Sequence, residues 1–242
     1  PVHAISPEEF RRQTEVTYLG TVHGTMAALK RMRAQRRGSI VQVGSALSYR
    51  AIPLQAAYCG AKFAIRGFTD SLRCELLHEG LPISLCMVQL PAVNTPQFDW
   101  ALSRMPRKAQ PVPPIFQPEV AAAAIVFAAF NPRREIWLGR SSWKAILANK
   151  LAPGLLDRYL AKYGYSSQMR DERQPEDAPE NLFSAVAGNR AAHGSFDSRA
   201  SAASGTLWAT VHRDALAVGA AVLGAAWLVG WGIGGGRLGG RE

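Results

Sequence analysis

The chain has few cysteines and lacks a metal-binding pattern. Its 242 residues include only Cys59, Cys74 and Cys86, with no Cys-x-x-Cys pair and no histidine cluster at metal-ligand spacing. This composition predicts no structural metal site, and it indicates a reduced compartment.

The amino terminus lacks the basic segment and apolar stretch of a secretory signal, and it lacks an initiating methionine. We therefore expect a chain that begins inside a longer protein and that lies in the cytoplasm.

The basic residues do not form a long run, although the formal net charge is +10 and the pI is near 10.0. They are scattered in short pairs such as Arg11-Arg12, Arg36-Arg37 and Arg133-Arg134. A nucleic-acid-binding protein needs a contiguous basic face, so this distribution predicts no nucleic-acid partner. The hydrophobic content of 48% is enough for the core of one ordinary domain.

Strands and helices alternate along the first 139 residues. The capping box in "SPEEF" (6–10) predicts a helix that ends near Gly38. The segments with buried-strand patterns are 39–45, 82–90 and 135–139, and those with helical patterns are 57–77 and 117–130. This alternation predicts an α/β fold with a parallel sheet, in which ligands bind beyond the carboxyl ends of the strands.

Two potential site segments follow such strand ends. Ser45 ends one strand, and "LPAVNT" (90–95) follows another. In "AYCGAKFAIRGF" (57–68), Tyr58 and Lys62 are four residues apart and therefore share a helix face. The ammonium of Lys62 would lower the pKa of the Tyr58 phenol, which could then act as a general acid or base.

The stretch "IVQVGSALSYRAIPLQAAYCGAKFAIRGFTDSLRCEL" resembles the short-chain dehydrogenase/reductases, whose signature is a strand-end serine followed by Tyr-x-x-x-Lys. The resemblance runs from about Pro1 to Gly139 and implies a Rossmann-like, doubly wound parallel sheet. It implies that Tyr58 is the catalytic acid/base, that Ser45 orients the substrate oxygen, and that Lys62 also holds the nicotinamide ribose. Tyr58, Lys62 and Thr95 are the implied contacts for the cofactor, which is NAD or NADP.

Three features depart from the family pattern. Thr17 stands where the family usually has an asparagine that supports a proton relay to the lysine, and Leu90-Pro91 replaces its Pro-Gly segment. The glycine-rich first turn that binds the pyrophosphate is absent. We therefore expect that the chain holds the carboxyl-terminal part of the fold and an extension, and the choice between NAD and NADP stays open.

The pattern divides the chain into three parts. Residues 1–165 form the partial catalytic domain, in which the aromatics Trp143, Tyr159 and Tyr163 are candidates for lining a substrate pocket. Residues 166–206 are polar and predict a flexible linker. Residues 207–242 include a charge-free apolar stretch, which predicts a helix that either anchors the chain in a membrane or packs in a soluble domain.

These observations favour an NAD(P)-dependent oxidoreductase that interconverts a hydrophobic alcohol and its ketone or aldehyde. The alternative is a noncatalytic binding or scaffold protein, derived from the same fold and anchored at a membrane. Homo-oligomerisation and the identity of the substrate stay open.

Overall fold

The computed structural model describes residues 1–188 and 191–235. The α-helices are α1 Pro7–Thr14, α2 Gly20–Gln35, α3 Ala56–His78, α4 Gln97–Trp100, α5 Pro118–Phe130, α6 Arg140–Leu151, α7 Pro153–Tyr163, α8 Gly205–Val211 and α9 Arg213–Gly235. The strands are β1 Gly38–Ser45, β2 Ile83–Leu90, β3 Ala92–Val93, β4 Arg107–Ala109, β5 Ile115–Phe116, β6 Glu135–Trp137, β7 Met169–Arg173 and β8 Ala200–Ser201.

The first helical segment begins at the predicted capping box. The backbone N–H of Glu9 donates to the Ser6 hydroxyl (3.1 Å), and the Glu9 carboxylate accepts from the backbone N–H of Ser6 (2.7 Å). A π-helical turn over Glu15–Leu19 joins α1 to α2, and the segment ends at Arg36, which adopts a left-handed conformation (φ 52°). Such π turns are frequent at functional sites.

The main sheet has the strand order β1-β2-β6, and both pairings are parallel. Side chains alternate across each strand, so one face of β2 presents Cys86 and Val88 and the other presents Ile83 and Leu85. The first face packs against α5, and the second packs against α3 and α2. Helices therefore cover both faces, and the predicted doubly wound α/β fold is confirmed.

Residues 166–206 differ from the predicted flexible linker over the part that the structure describes. Strand β7 pairs antiparallel with β4, and β8 pairs parallel with β5. Gln168 and Phe196 are buried, and the Gln168 amide donates to the backbone carbonyls of Pro53 (2.9 Å) and Gly164 (2.7 Å). Partners far away in sequence therefore order a segment whose own composition is polar.

The carboxyl-terminal part forms two helices, α8 and α9, and α9 covers the described residues of the charge-free apolar stretch. Helix α8 packs on the domain, where Leu207 contacts the core beneath α5. The apolar side chains of α9 are largely exposed, including Val218, Val222, Leu223 and Trp227. Within the described residues no single helix meets the length and hydropathy needed to cross a membrane, whereas 205–211 and 213–228 meet them together, with a bend of 78° between them.

We expect Ile136→Ala to lower the free energy of unfolding by about 2–5 kcal/mol, because Ile136 is 1% exposed in the core between β6 and α5 and its loss leaves a cavity. Val126→Ala on α5 is the control, since Val126 is 57% exposed, and it should change stability by only about 0.5 kcal/mol or less. Urea unfolding measures both variants. Equal effects of the two substitutions would contradict this placement of the core.

Candidate active site

The site lies at the edge of the sheet where β1 and β2 end. The register pairs Ser45 with Leu90, so both strands leave the sheet at the same level. Helix α3 begins at Ala56, beside this edge, and carries Tyr58 and Lys62 in its first two turns. The carboxyl edge of a parallel sheet is the usual place for a ligand in such folds.

The Ser45 side chain faces the Tyr58 phenol and lowers its pKa through a hydrogen-bonding interaction. The Ser45 hydroxyl oxygen also accepts the backbone N–H of Leu47 at 3.1 Å, so its own hydrogen is free to point toward the phenol. Ser45 is 7% exposed. The strand end therefore holds this hydroxyl in a fixed direction.

Lys62 lies on the same face of α3 as Tyr58. Its Nζ is 5.6 Å from the centroid of the Tyr58 ring, and it donates a hydrogen bond to the backbone carbonyl of Val43 at 2.8 Å. Burial lowers the pKa of Lys62. The structure thus brings together the three residues that the sequence singled out as catalytic.

The pKa of Tyr58 differs from the sequence-based expectation. Burial raises the pKa of the phenol, and the hydrogen bond from Ser45 offsets only part of this effect. The expected lowering by Lys62 is wrong for this arrangement, because the removal of the phenol from water outweighs the interactions that favour the phenolate.

Thr17 lies in the π-helical turn, which packs against α3. Its hydroxyl accepts a hydrogen bond from the Gln13 side chain at 2.9 Å, and its backbone carbonyl accepts one from the Thr21 hydroxyl at 2.9 Å. The described hydrogen bond of Lys62 goes to Val43. A relay from Thr17 to Lys62 therefore stays a prediction.

The loop after β2 carries Thr95 next to a residue that the sequence did not single out. Asn94 is completely buried, and its side-chain amide donates to Gln117 (3.0 Å) and Asp197 (2.8 Å). Asp197 lies 103 residues further along the chain. No local sequence signal could have indicated this contact.

A second polar network lies directly behind Ser45. The Ser48 hydroxyl is 2.7 Å from the Ser45 carbonyl oxygen and 3.0 Å from the Gln89 side-chain oxygen. The Gln89 amide and the Tyr49 hydroxyl both donate to the carboxylate of Glu135. Burial, together with the bond to Glu135, raises the pKa of Tyr49. This network fixes the loop that follows the strand-end serine.

An open cleft of about 470 Å³ lies between α7 and the segment that joins Ser45 to Tyr58. Its lining consists of Arg50, Ala51, Ile52, Pro53, Asp157, Leu160, Ala161 and Tyr165. The predicted pocket aromatics Trp143, Tyr159 and Tyr163 are not part of this lining and are 54%, 58% and 46% exposed. Tyr159 and Tyr163 lie on the side of α7 that faces away from the cleft, whereas Trp143 is on α6 and makes a ring contact with Trp137 at 4.2 Å between centroids.

Comparison with known proteins relates this site to one family. Residues 1–104 match the model of the family described as short chain dehydrogenase. The uncharacterized oxidoreductase YxnA of Bacillus subtilis (strain 168) is 33% identical over 166 residues, which are 68% of this chain and 47% of that protein. Dehydrogenase/reductase SDR family member 7 of Homo sapiens is 42% identical over 71 residues, which are 29% of this chain and 21% of that protein.

The chain therefore spans about half the length of YxnA and less of the human relative. Among solved structures, a short-chain dehydrogenase from Streptomyces avermitilis has the same fold, with a TM-score of 0.50 and 22% identity over 67% of this chain and 63% of that one. Ser45, Tyr58 and Lys62 all lie inside the matched residues 1–104, and the chain belongs to the short-chain dehydrogenase/reductase family.

Proposed function

We propose that this chain supplies the proton-transfer half of an NAD(P)-dependent oxidoreductase that interconverts a hydrophobic alcohol and its ketone or aldehyde. The observation that carries the proposal is the juxtaposition of Ser45, Tyr58 and Lys62 at the carboxyl edge of a parallel sheet. In this arrangement an acid/base group and a second hydroxyl would both reach one substrate oxygen.

Tyr58 gives or takes the proton. Because its pKa is raised, the phenol is protonated at neutral pH and can donate to the oxygen of a carbonyl that is being reduced. The Ser45 hydroxyl orients that oxygen. In the oxidising direction the proton passes from the alcohol to the phenolate, which the interaction with Ser45 stabilises.

The residues fit the nicotinamide end of NAD or NADP. Lys62 gives one N–H to Val43, which leaves two donors for ribose hydroxyl groups. Thr95, in the loop after β2, is the proposed contact for the carboxamide. The bound nicotinamide supplies the hydride, which no protein side chain can carry.

The cleft beside the site supports a hydrophobic substrate. Ile52, Pro53, Leu160 and Ala161 contribute most of its apolar lining. The two charged residues of the lining, Arg50 and Asp157, form an ion pair with each other at 2.6 Å. An apolar alcohol or ketone would reach Tyr58 along residues 50–53.

Helix α9 supports attachment of the protein to a membrane. No charged residue stands between Ala215 and Gly236, and the apolar side chains of the described part of α9 lie exposed around the helix. A helix that is apolar all round suits a lipid environment. We place the catalytic part on the cytoplasmic side of this membrane.

We expect Tyr58→Phe to reduce turnover about 100-fold or more, because it removes only the proton-transferring hydroxyl. The measurement is NAD(P)-linked oxidation of medium-chain alcohols by protein expressed with all coding sequence upstream of Pro1. Tyr159→Phe removes an exposed hydroxyl outside the site and serves as the control. Unchanged turnover in Tyr58→Phe would refute the assignment of Tyr58 as the acid/base, whereas no turnover by the wild type would favour the noncatalytic scaffold.

Ser45→Ala should raise the pKa of Tyr58 further, because the Ser45 hydrogen bond is the interaction that lowers it. NMR titration of protein with tyrosine labelled at Cζ measures this pKa, and the resonance missing in Tyr58→Phe identifies the residue. Ser39→Ala, at the opposite end of β1, should leave the titration unchanged. A fall in the pKa after Ser45→Ala would show that the bond stabilises the neutral phenol instead.

For the membrane proposal, we expect the chain to remain in the membrane fraction after carbonate extraction, whereas a chain that ends at His212 should be released. This end point keeps α8, which packs on the domain. Val222→Lys with Leu223→Lys should release the full-length chain, because two charges in the middle of the apolar helix oppose insertion. Equal partitioning of all three proteins would rule out an anchor.

A further inference from the structure

A short segment near the carboxyl end of the domain lies against the loop that carries Thr95. This segment, His193–Asp197, is called here the clamp segment. It belongs to the region whose composition predicts a linker, and strand β8 follows it and pairs with β5. The loop after β2 is attached to the same strand β5 through β3. The clamp segment and the Thr95 loop are thus brought together by a common strand.

Asn94 is the point at which the two segments meet. Its side-chain amide donates to Asp197 (2.8 Å), and its side-chain oxygen accepts the backbone N–H of Phe196 (3.0 Å). Its backbone carbonyl accepts the backbone N–H of Gly194 (3.2 Å). Asn94 is fully buried, so a lost partner would leave a buried polar group unsatisfied.

Gly194 approaches the loop too closely for any other residue. A Cβ at this position would lie inside van der Waals distance of the Thr95 carbonyl oxygen, 2.7 Å from the Thr95 carbonyl carbon and 3.0 Å from the Asn94 side-chain oxygen. The nearest atoms belong to the backbone, which cannot rotate away as a side chain does. An added methyl group at Gly194 must therefore displace Thr95 or the clamp segment.

The clamp segment also makes charged and aromatic contacts. His193 lies 2.7 Å from the Glu119 carboxylate at the start of α5 and 2.9 Å from the Asp197 carboxylate. Phe196 is buried and makes an edge contact with Phe98, at 5.9 Å between ring centroids. The contact with Glu119 joins the segment to α5, and the contact with Phe98 joins it to the helix that follows Thr95.

We propose that the clamp segment positions Thr95 for the cofactor, and that Gly194 and Asp197 are positioning residues of the oxidoreductase site. The clamp acts through its hydrogen bonds to the Asn94 side chain and carbonyl, and through the close approach of Gly194 to the Thr95 carbonyl. This inference rests on the proposed function of Thr95 as the carboxamide contact. It assigns to the catalytic domain a segment that lies about a hundred residues after the loop it holds.

The test uses Gly194→Ala and Asp197→Ala in the protein expressed with all coding sequence upstream of Pro1. Asp197 is an exposed side chain, so its variant should fold even if Gly194→Ala does not. Gly205→Ala is the matched control, because Gly205 begins α8 and has no atom within 4 Å of an added Cβ. Thermal unfolding checks that each variant is folded.

The first readout is hydrogen exchange of the peptide that covers residues 92–97, without coenzyme. Both clamp variants should exchange faster there than the wild type, and Gly205→Ala should match the wild type. Wild-type exchange in both folded clamp variants would overturn the proposal. This readout does not depend on the reaction of the enzyme.

The second readout is the dissociation constant for NADH and NADPH, measured in wild-type and Thr95→Ala backgrounds. Each clamp variant should weaken coenzyme binding about five- to tenfold in the wild type and less than about twofold in Thr95→Ala, because coupled residues are not additive. Equal losses in both backgrounds would overturn positioning through Thr95. No coenzyme binding by the wild type would overturn the proposed function instead, and the exchange readout would still decide whether the clamp fixes the loop.

Discussion

The parallel pairing of β1 with β2 is the constraint on which the candidate site depends. Its register sets Ser45 opposite Leu90, so the hydroxyl that faces Tyr58 and the loop that carries Thr95 leave the sheet at one edge. A shift of one residue would turn Ser45 toward the other face of the sheet. The core packing of β2 on both of its faces opposes such a shift, because it would move buried apolar side chains out of their places.

Helix α3 is joined to this edge by a hydrogen bond of Lys62, a residue of the candidate site. Lys62 donates to the Val43 carbonyl in β1, and this contact fixes the face of the helix that carries Tyr58. Burial acts on both side chains in the direction that disfavours charge: it raises the pKa of Tyr58 and lowers that of Lys62. The proton therefore rests on the phenol at neutral pH, and Ser45 is the described group that favours its release.

Around this centre, buried polar networks hold the loops that leave the strands. Ser48, Gln89 and Glu135 hold the loop after β1. Asn94 and Asp197 join the loop after β2 to the clamp segment. In each network a buried polar group takes its partner from a distant part of the chain, and losing that partner costs more than the bond alone contributes. Loops held in this way can keep the hydroxyl groups of Ser45 and Thr95 in place at the carboxyl edge of the sheet.

The sequence by itself determined the local features: the capping box at Ser6, the apolar β-branched strands, and the four-residue spacing that places Tyr58 and Lys62 on one helix face. These depend on neighbours within a few residues, so pattern and propensity suffice to predict them. Only the tertiary structure decided the direction of the Tyr58 pKa, the ordering of Gln168 and Phe196 in a polar segment, and the contact of Gly194 with Thr95. Burial and long-range hydrogen bonds come from residues that are distant in sequence, and no local pattern records which of them will meet.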